Sequence, residues 1–271
     1  MNHIEVTIPC QEEQREILIA LLADMGYEGF EEKEDSLLAY IAEENYENTS
    51  LTHLLQPMQL QASTASVATK NWNEEWERNF QPVVVDGFCT VRADFHEPNP
   101  STPYEIIIMP KMTFGTGHHA TTQLMMEAMQ SLAIKNKSVL DFGTGTGILA
   151  ILAAMLGAQA ITGVENEQWS CENAVYNASR NNIENFQVFF GSLEQVEGQH
   201  FDIILANINR HILLQYMERM AKLLTPGGQL LMSGILIEDE TIVSEAAVQV
   251  GLSLQKVATK NNWMLIHCKK D

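Results

Sequence analysis

The chain has 271 residues, of which 45% are hydrophobic, and its 16 basic and 35 acidic side chains give a formal net charge of −19. This length allows one large domain or two modest ones, and the acidic balance argues against a protein that wraps broadly around nucleic acid, because that requires a basic surface. No apolar run approaches the roughly 18 residues of a membrane-spanning helix, and the N-terminus has neither a basic flank nor an apolar stretch, so we expect no bilayer span and no secretory signal.

Residues 1–67 have the pattern of a small α+β domain. Apolar and polar residues alternate over 3–8 as in a strand, and apolar residues recur at helical spacing over 12–25 until Gly26 ends the helix. The remaining elements are a hairpin of strands 27–33 and 37–42, a short helix 49–55 stopped by Pro57, and a β-branched strand 59–67. The order βαββαβ predicts the split arrangement of ferredoxin-like domains.

The charge of this front region is one-sided. Its 13 acidic side chains are opposed only by Arg15 and Lys33. Two interpretations stay open: a solvated face that keeps the protein soluble, or a docking face for a basic partner.

Residues 68–80 are predicted to form a helical linker. Trp72, Trp76 and Phe80 recur every four residues, so one face of the helix is aromatic and the other is charged. Such a stripe packs between two domains or contacts a partner.

From residue 81 to residue 271, short strands and helices alternate. We predict the following elements: strands 83–85, 89–92 and 105–109, helix 121–132, strand 138–141, helix 148–156, strand 160–165, helix 168–180, strands 187–190 and 201–206, helix 211–224, strand 230–237, helix 239–250, and strands 252–259 and 263–268. The alternation predicts an α/β doubly wound, mostly parallel sheet. Because only a short turn joins the last two strands, they must be antiparallel to each other.

A glycine-rich loop follows the strand at 138–141 and precedes a helix. Its sequence, DFGTGTG over 141–147, differs from the dinucleotide-binding pattern GxGxxG, whose third glycine would fall at Ile148. An acid before the glycines, Asp141, suits a cationic ligand better than a pyrophosphate. Glu165 ends the next strand, where a carboxylate accepts hydrogen bonds from ribose hydroxyls. A cationic ligand that carries ribose and no phosphate is S-adenosylmethionine, and the alternative is a structural turn with no ligand.

These residues resemble a known family. DFGTGTG, followed by GVE over 163–165, is similar to class I S-adenosylmethionine-dependent methyltransferases. FGTGHHATT over 114–122 resembles the FGTGxHxTT signature of the PrmA-type methyltransferases that modify ribosomal protein L11. Trp72 and Trp76 resemble the W-x3-W linker of that family, and residues 206–208 resemble its ANI motif. The resemblance covers essentially the whole chain and includes a ferredoxin-like domain before the catalytic one.

Each cofactor-binding candidate has an expected role. We expect Gly143, Gly145 and Gly147 to admit the methionine moiety, Glu165 to hold the ribose, and Ser192 to contact the adenine. Asp141 either senses the positive end of the cofactor or caps amides of the loop. The family resemblance implies that Thr121 also contacts the cofactor, and the competing interpretation is that it caps the following helix.

Asn207 is the catalytic candidate. It follows the strand at 201–206, beside the point where strand order reverses, so its amide oxygen can accept a hydrogen bond from an attacking amine and can also lie near the cofactor. The alternative is a turn-forming asparagine. The Asn-Pro-Pro-aromatic motif of nucleic-acid amino-methyltransferases is absent here, which counts against a DNA substrate.

His118 and His119 are not predicted to bind metal, because no acid or third histidine lies at ligand spacing. A general-base role and a role in shaping the loop both remain open.

The four cysteines, Cys10, Cys89, Cys171 and Cys268, lie far apart and form no metal or redox motif. Scattered thiols fit a reducing cytoplasm, so we predict buried free cysteines and a cytoplasmic protein.

The resemblance implies a protein N-methyltransferase that uses S-adenosylmethionine. Its substrates would be lysine ε-amino groups and the N-terminal α-amino group of a large-subunit ribosomal protein, L11. We expect a monomer with no membrane partner and no sequence-specific nucleic-acid partner. The alternatives are a methyltransferase of another amine, a non-catalytic cofactor-binding module and, least favoured, a dehydrogenase.

Overall fold

The computed structural model describes residues 3–33, 35–67, 81–85, 87–109 and 115–271. The chain divides into two units, Met1–Phe80 and Gln81–Asp271. The predicted linker with Trp72, Trp76 and Phe80 lies outside the described residues, and the substrate-recognition role expected for residues 1–67 stays a prediction.

The front unit has the predicted βαββαβ order. Its elements are β1 (His3–Pro9), α1 (Glu12–Asp24), β2 (Gly29–Lys33), β3 (Ser36–Ala42), α2 (Asn48–Leu55) and β4 (Ser63–Val67). The strands form one sheet in the order β2-β3-β1-β4, in which every neighbouring pair is antiparallel. Alternation along β1 buries Ile4, Val6 and Ile8 on one face, where they pack with Leu18 and Leu22. The ferredoxin-like prediction is confirmed.

One strand of this unit begins later than predicted. The expected strand 59–67 starts only at Ser63. A 3₁₀ turn, Gln56–Met58, follows α2, and Gln59 ends it in the left-handed region with φ 56°. A residue in that conformation cannot belong to a strand, so the chain needs several more residues before it pairs with β1.

The second unit begins at Gln81. Its elements are β5 (Val83–Val85), β6 (Cys89–Arg92), β7 (Tyr104–Ile107), α3 (Ala120–Met129), β8 (Ser138–Phe142), α4 (Ile148–Met155), β9 (Ala160–Glu165), α5 (Gln168–Arg180), β10 (Phe186–Phe190), β11 (Phe201–Asn207), α6 (Arg210–Leu223), β12 (Leu224–Leu236), α7 (Glu240–Gln249), β13 (Leu252–Lys260) and β14 (Trp263–Lys270).

Seven of these strands form one sheet in the order β10-β9-β8-β11-β12-β14-β13. The first five are parallel to their neighbours, and β14 is antiparallel to both β12 and β13. The doubly wound sheet and its antiparallel final pair are therefore confirmed. Both faces are buried: in β11, Ile203 and Leu205 join one core cluster, and Ile204 and Ala206 join the other.

Strands β5, β6 and β7 form a separate three-stranded sheet. The strand predicted over 105–109 ends at Ile107. Just beyond it the Ile108 amide still donates to the Arg92 carbonyl of β6 at 2.8 Å, and the next amide, that of Met109, donates to a side chain, Asn177 Oδ1, at 2.9 Å.

All four cysteines are buried free thiols, as predicted. No helix in the described part of the chain has the length and apolar composition needed to span a bilayer.

Candidate active site

The glycine-rich loop connects β8 to α4 at the carboxyl edge of the large sheet. Gly143, Gly145 and Gly147 have φ values of 75°, 53° and 81°, a region that L side chains rarely adopt. Space is also restricted, because a Cβ on Gly143 would overlap the side chain of Ile208, and a Cβ on Gly147 would lie 3.3 Å from that of Ala174. The glycines therefore leave bare backbone facing the end of the sheet.

A cavity of about 560 Å³ opens beside this loop. That volume lies within the roughly 300–1,000 Å³ range of small-molecule sites. Six of the predicted site residues line it: Thr121, Gly143, Gly145, Glu165, Ser192 and Asn207. They come from elements spread over 87 positions of the sequence and meet because β8, β9, β10 and β11 end at the same edge. Asp141 and Gly147 are not on the cavity wall.

Glu165 is buried at the end of β9 and organises the loop around it. Its Oε2 accepts the Gly145 amide at 3.0 Å, and its Oε1 accepts the amides of Asn166 and Glu167 at 2.8 and 3.2 Å. A carboxylate offers about four lone-pair sites. Oε2 therefore keeps an acceptor site on the cavity wall, where it suits a hydroxyl of the ligand.

Asp141 lies beneath the loop and is almost completely buried. Its Oδ2 accepts the Thr144 hydroxyl at 2.7 Å. Burial, together with the nearby Glu165 carboxylate, raises the pKa of Asp141 to about 7, although bonds from Thr144 and the Ala150 amide oppose the shift. The observed bonds make Asp141 a support of the loop. Its electrostatic role toward a cation stays a prediction.

Asp141→Asn is expected to remove a pH dependence of stability. Because the folded pKa is raised above the ordinary 3.8, this group's contribution to stability is complete below pH 3.8 and is lost as pH rises through about 7. Between pH 5 and pH 8 the wild-type free energy of unfolding should fall by about 2–3 kcal/mol relative to that of the variant. Urea denaturation of both proteins at the two pH values measures this difference, and parallel pH profiles would contradict the assignment.

Asn207 ends β11 and lines the cavity. Its Nδ2 donates to Thr122 Oγ1 at 3.3 Å. Its buried Oδ1 has no hydrogen-bond partner among the described residues. A buried acceptor without a partner is rare in folded proteins, and at a cavity wall it is suited to a donor on the ligand.

The structure contradicts one of the two interpretations of Thr121, the one in which it caps the helix α3. The helix begins at Ala120 and its N-cap is His119, whose Nδ1 accepts the Thr121 amide at 3.3 Å. Thr121 is therefore not the N-cap, and that alternative is wrong. It lies in the first turn, where its hydroxyl bonds His119 Nδ1 at 2.8 Å, and it lines the cavity. The cofactor contact that the family resemblance implies for Thr121 stays a prediction. Phe114, the first residue of the signature, lies outside the described residues.

The two histidines shape the loop. His118 Nε2 bonds the Gln81 carbonyl at 3.0 Å, and His119 packs edge to face against Trp263 at 4.8 Å. Since His119 Nδ1 acts as an acceptor for the helix cap, that nitrogen cannot also take a proton from a substrate. Among the described residues, no three His, Cys, Asp or Glu side chains are placed to hold a metal ion.

Ser192 follows β10 and precedes a 3₁₀ turn, Leu193–Val196. The preceding Gly191 amide donates to the Glu165 carbonyl at 2.7 Å, which fixes this corner of the cavity beside β9. Contact between Ser192 and an adenine stays a prediction.

Several wall residues were not anticipated. The apolar part of the wall consists of Phe142, Val164, Ile208, Ile212, Tyr216 and Trp263. Phe142 and Tyr216 pack edge to face at 5.3 Å. Trp263 begins the last strand and joins the wall because β14 lies beside β12. Sequence signals existed for Phe142, which lies inside the glycine motif, and for Ile208, which lies in the ANI motif.

Comparisons with known proteins agree with this geometry. The family model described as ribosomal protein L11 methyltransferase (PrmA) matches residues 28–271. A ribosomal protein L11 methyltransferase of Phocaeicola vulgatus is 38% identical over 98% of this chain and 98% of its own, and one of Porphyromonas gingivalis is 41% identical over 94% and 91%. The crystal structure of a ribosomal protein L11 methylase from Lactobacillus delbrueckii subsp. bulgaricus covers 71% of this chain and 100% of its own, with a TM-score of 0.65 and 26% identity.

Proposed function

The chain belongs to the ribosomal protein L11 methyltransferase family, and from this premise we propose that it transfers methyl groups from S-adenosylmethionine to lysine ε-amino groups and the N-terminal α-amino group of ribosomal protein L11. The observation that carries the proposal is Asn207 on the wall of a cavity built around a glycine-rich loop, with a buried Oδ1 that has no hydrogen-bond partner among the described residues. We place the enzyme in the cytoplasm, where ribosomal proteins are made, and expect it to act as a monomer.

The residues present fit the cofactor. Gly143 and Gly145 present backbone without a side chain on the cavity wall, Glu165 keeps an acceptor for a ribose hydroxyl, and Ser192 lies at the corner assigned to adenine. When bound, S-adenosylmethionine supplies an electrophilic methyl group on a positively charged sulfur. Glu165 brings a carboxylate to the cavity wall, which suits a cation, and Asp141, whose pKa is raised to about 7, adds negative charge beneath the loop only when it is ionised.

The attacking amine must be neutral. A lysine ammonium has a pKa near 10.4 and no free lone pair, so it must lose a proton before it attacks. Desolvation inside the cavity and the positive charge of a bound cofactor both lower the pKa of an amine, whereas the wall carboxylates of Glu165 and Glu167 act in the opposite direction. Asn207 Oδ1 then accepts one N–H and directs the nitrogen lone pair away from the amide. Alignment of this kind is worth several kcal/mol, up to about 7–11.

We infer that the proton leaves to solvent. Among the described residues, His119 is the histidine on the wall, and its Nδ1 already accepts from the helix cap. We therefore assign His119 a supporting role and no role as general base.

The experiment combines the purified protein with purified ribosomal protein L11 and S-adenosylmethionine carrying a labelled methyl group. Mass spectrometry of the product should locate labelled methyl groups on lysine side chains and on the N-terminal amine. Unlabelled L11, with label on another amine instead, would refute the proposed substrate. Failure to bind the cofactor in calorimetry would refute the methyltransferase assignment itself.

We propose further that the front unit docks the basic substrate. Seven of its acids are exposed and fall within twenty positions: Glu28, Glu31, Glu32, Asp35, Glu43, Glu44 and Glu47. Opposite charge on a partner raises the association rate and favours the correct partner.

Charge reversal tests this docking role. The triple variant Glu28→Lys, Glu31→Lys and Glu44→Lys is expected to raise KM for L11 by about tenfold with kcat unchanged, because association is weakened and chemistry is not. A control that changes net charge equally carries Glu184→Lys, Glu218→Lys and Glu245→Lys at exposed positions of the second unit. Steady-state kinetics with L11 compares the two. Equal KM values would show that the acidic face serves solubility alone.

A further inference from the structure

Thr146, inside the glycine-rich loop, is hydrogen-bonded to two other segments of the chain. Its hydroxyl donates to the Gly115 carbonyl at 2.6 Å. Its own carbonyl accepts Asn177 Nδ2 at 2.9 Å, and Asn177 Oδ1 accepts the Met109 amide at 2.9 Å. These three bonds connect the cofactor loop to both Met109 and Gly115, the described residues on either side of 110–114.

Neither Thr146 nor Asn177 lines the cavity. Both side chains are fully buried, at 0% exposure, and Asn177 lies on the inner face of α5. Hydrogen bonds in such surroundings are stronger than in water, and a partner left without its bond there is costly. The two residues therefore influence a bound ligand only through the backbone that they hold.

The segment that Thr146 holds contributes residues to the cavity wall. Gly115 has φ 107°, and a Cβ there would lie 2.6 Å from Thr146 Oγ1, so only glycine lets the Thr146 side chain approach the backbone this closely. Within seven residues of Gly115 come His119 and Thr121 on the cavity wall, and then Thr122, which accepts Asn207 Nδ2. The position of Gly115 therefore bears on the orientation of the Asn207 amide.

We propose that Thr146 and Asn177 are positioning residues that couple the glycine-rich loop to the segment 115–122 and, through Thr122, to Asn207. A cofactor that fixes the position of the glycine loop therefore also fixes the position of the wall against which the amine is aligned. The effect of this coupling on kcat rests on the proposed function. Its effect on the order of the segment 115–122 does not depend on any activity.

Thr146→Val tests the contribution of the threonine hydroxyl. Valine has the shape of threonine but donates no hydrogen bond, so the Gly115 carbonyl loses its partner. We expect kcat for L11 methylation to fall by at least about tenfold while Kd for S-adenosylmethionine changes by less than about threefold. Thr146→Ser restores the hydroxyl and should bring kcat back to within about twofold of wild type.

A matched pair of asparagines tests the second link. Asn177→Asp keeps the acceptor for Met109 and removes the donor to Thr146, so kcat should fall as it does in Thr146→Val. Asn181, the C-cap residue that follows α5, bonds the Ile107 amide and carbonyl at 2.8 and 2.7 Å and has no bond to the glycine loop among the described residues. Asn181→Asp makes the same chemical change without breaking the coupling and should leave kcat unchanged. Equal losses of kcat in the two variants would overturn the proposal.

Hydrogen exchange in the protein without ligand gives a readout independent of catalysis. In Thr146→Val, amides of residues 115–123 should exchange at least about tenfold faster, and those of 201–207 should not change. If this difference appears in a protein that does not methylate L11, the coupling stands and the proposed function fails. Unchanged exchange over 115–123 would refute the coupling even in an active enzyme.

Discussion

Replacing Asn207 with alanine is expected to lower kcat for L11 methylation by about two to three orders of magnitude, the loss seen when a preorganised polar contact to reacting atoms is removed. The side chain supplies the buried Oδ1, which has no other partner among the described residues, so alanine removes the acceptor without breaking another bond to that oxygen. Kd for S-adenosylmethionine should change by less than about threefold, because the interaction is made mainly with the amine.

A second substitution distinguishes an acceptor from a charge. Asn207→Asp keeps an oxygen in place but adds a negative charge, which stabilises the protonated amine and raises its pKa. We expect kcat to stay low near neutral pH and to recover as pH rises, whereas Asn207→Ala should stay low throughout. Rate profiles from pH 7 to pH 10 on variants with wild-type thermal unfolding measure this. Turnover of Asn207→Ala within about threefold of wild type would show that the residue does not align the amine.

Glu165→Ala is expected to raise Kd for S-adenosylmethionine by at least about 100-fold, which is about 2.7 kcal/mol. Two effects add: the amides of Gly145, Asn166 and Glu167 lose their shared acceptor, and the ribose loses its own. Calorimetry on the folded variant measures the affinity. Glu172→Ala, an exposed carboxylate on α5, serves as the control and should bind as wild type does.

A ligand lacking one ribose hydroxyl separates the two effects. If Glu165 holds the ribose, deoxy-S-adenosylmethionine should bind the wild type more weakly than the natural cofactor, and the difference should vanish in Glu165→Ala. If Glu165 only organises the loop, the deoxy ligand loses the same affinity in both proteins. That second outcome would leave Glu165 as a structural residue and refute its assignment to the ribose.

The features of the fold and the site that could be predicted depend on local patterns in the sequence. The order of elements follows from hydrophobic periodicity, which depends on neighbours a few positions apart. The glycines of 143–147 could be assigned to a ligand loop because positive φ values are nearly exclusive to glycine. Glu165 could be placed because parallel strands of one sheet end at a common edge, so the last residue of β9 had to lie near that loop.

Element boundaries were less predictable because side chains from distant segments set them. At the end of β7, Asn181 bonds the backbone of Ile107 and Asn177 accepts the Met109 amide, although both asparagines lie about 70 positions later in the chain. The cap of α3 is His119 and not a threonine, because its imidazole accepts the Thr121 amide as a side-chain oxygen would.

The sequence by itself determined the two-part order of elements, the sheet class, the glycine loop and the acid at the end of β9, and with the family resemblance it indicated the chemistry. The tertiary structure alone decided that Asp141 lies beneath the loop, that Trp263 joins the wall, and that Asn207 keeps an acceptor without a partner among the described residues. The reason is distance along the chain: Thr146 meets Gly115 across 31 positions, and Asn207 meets Thr122 across 85. Such contacts arise from the crossing order of the strands, which no local pattern records.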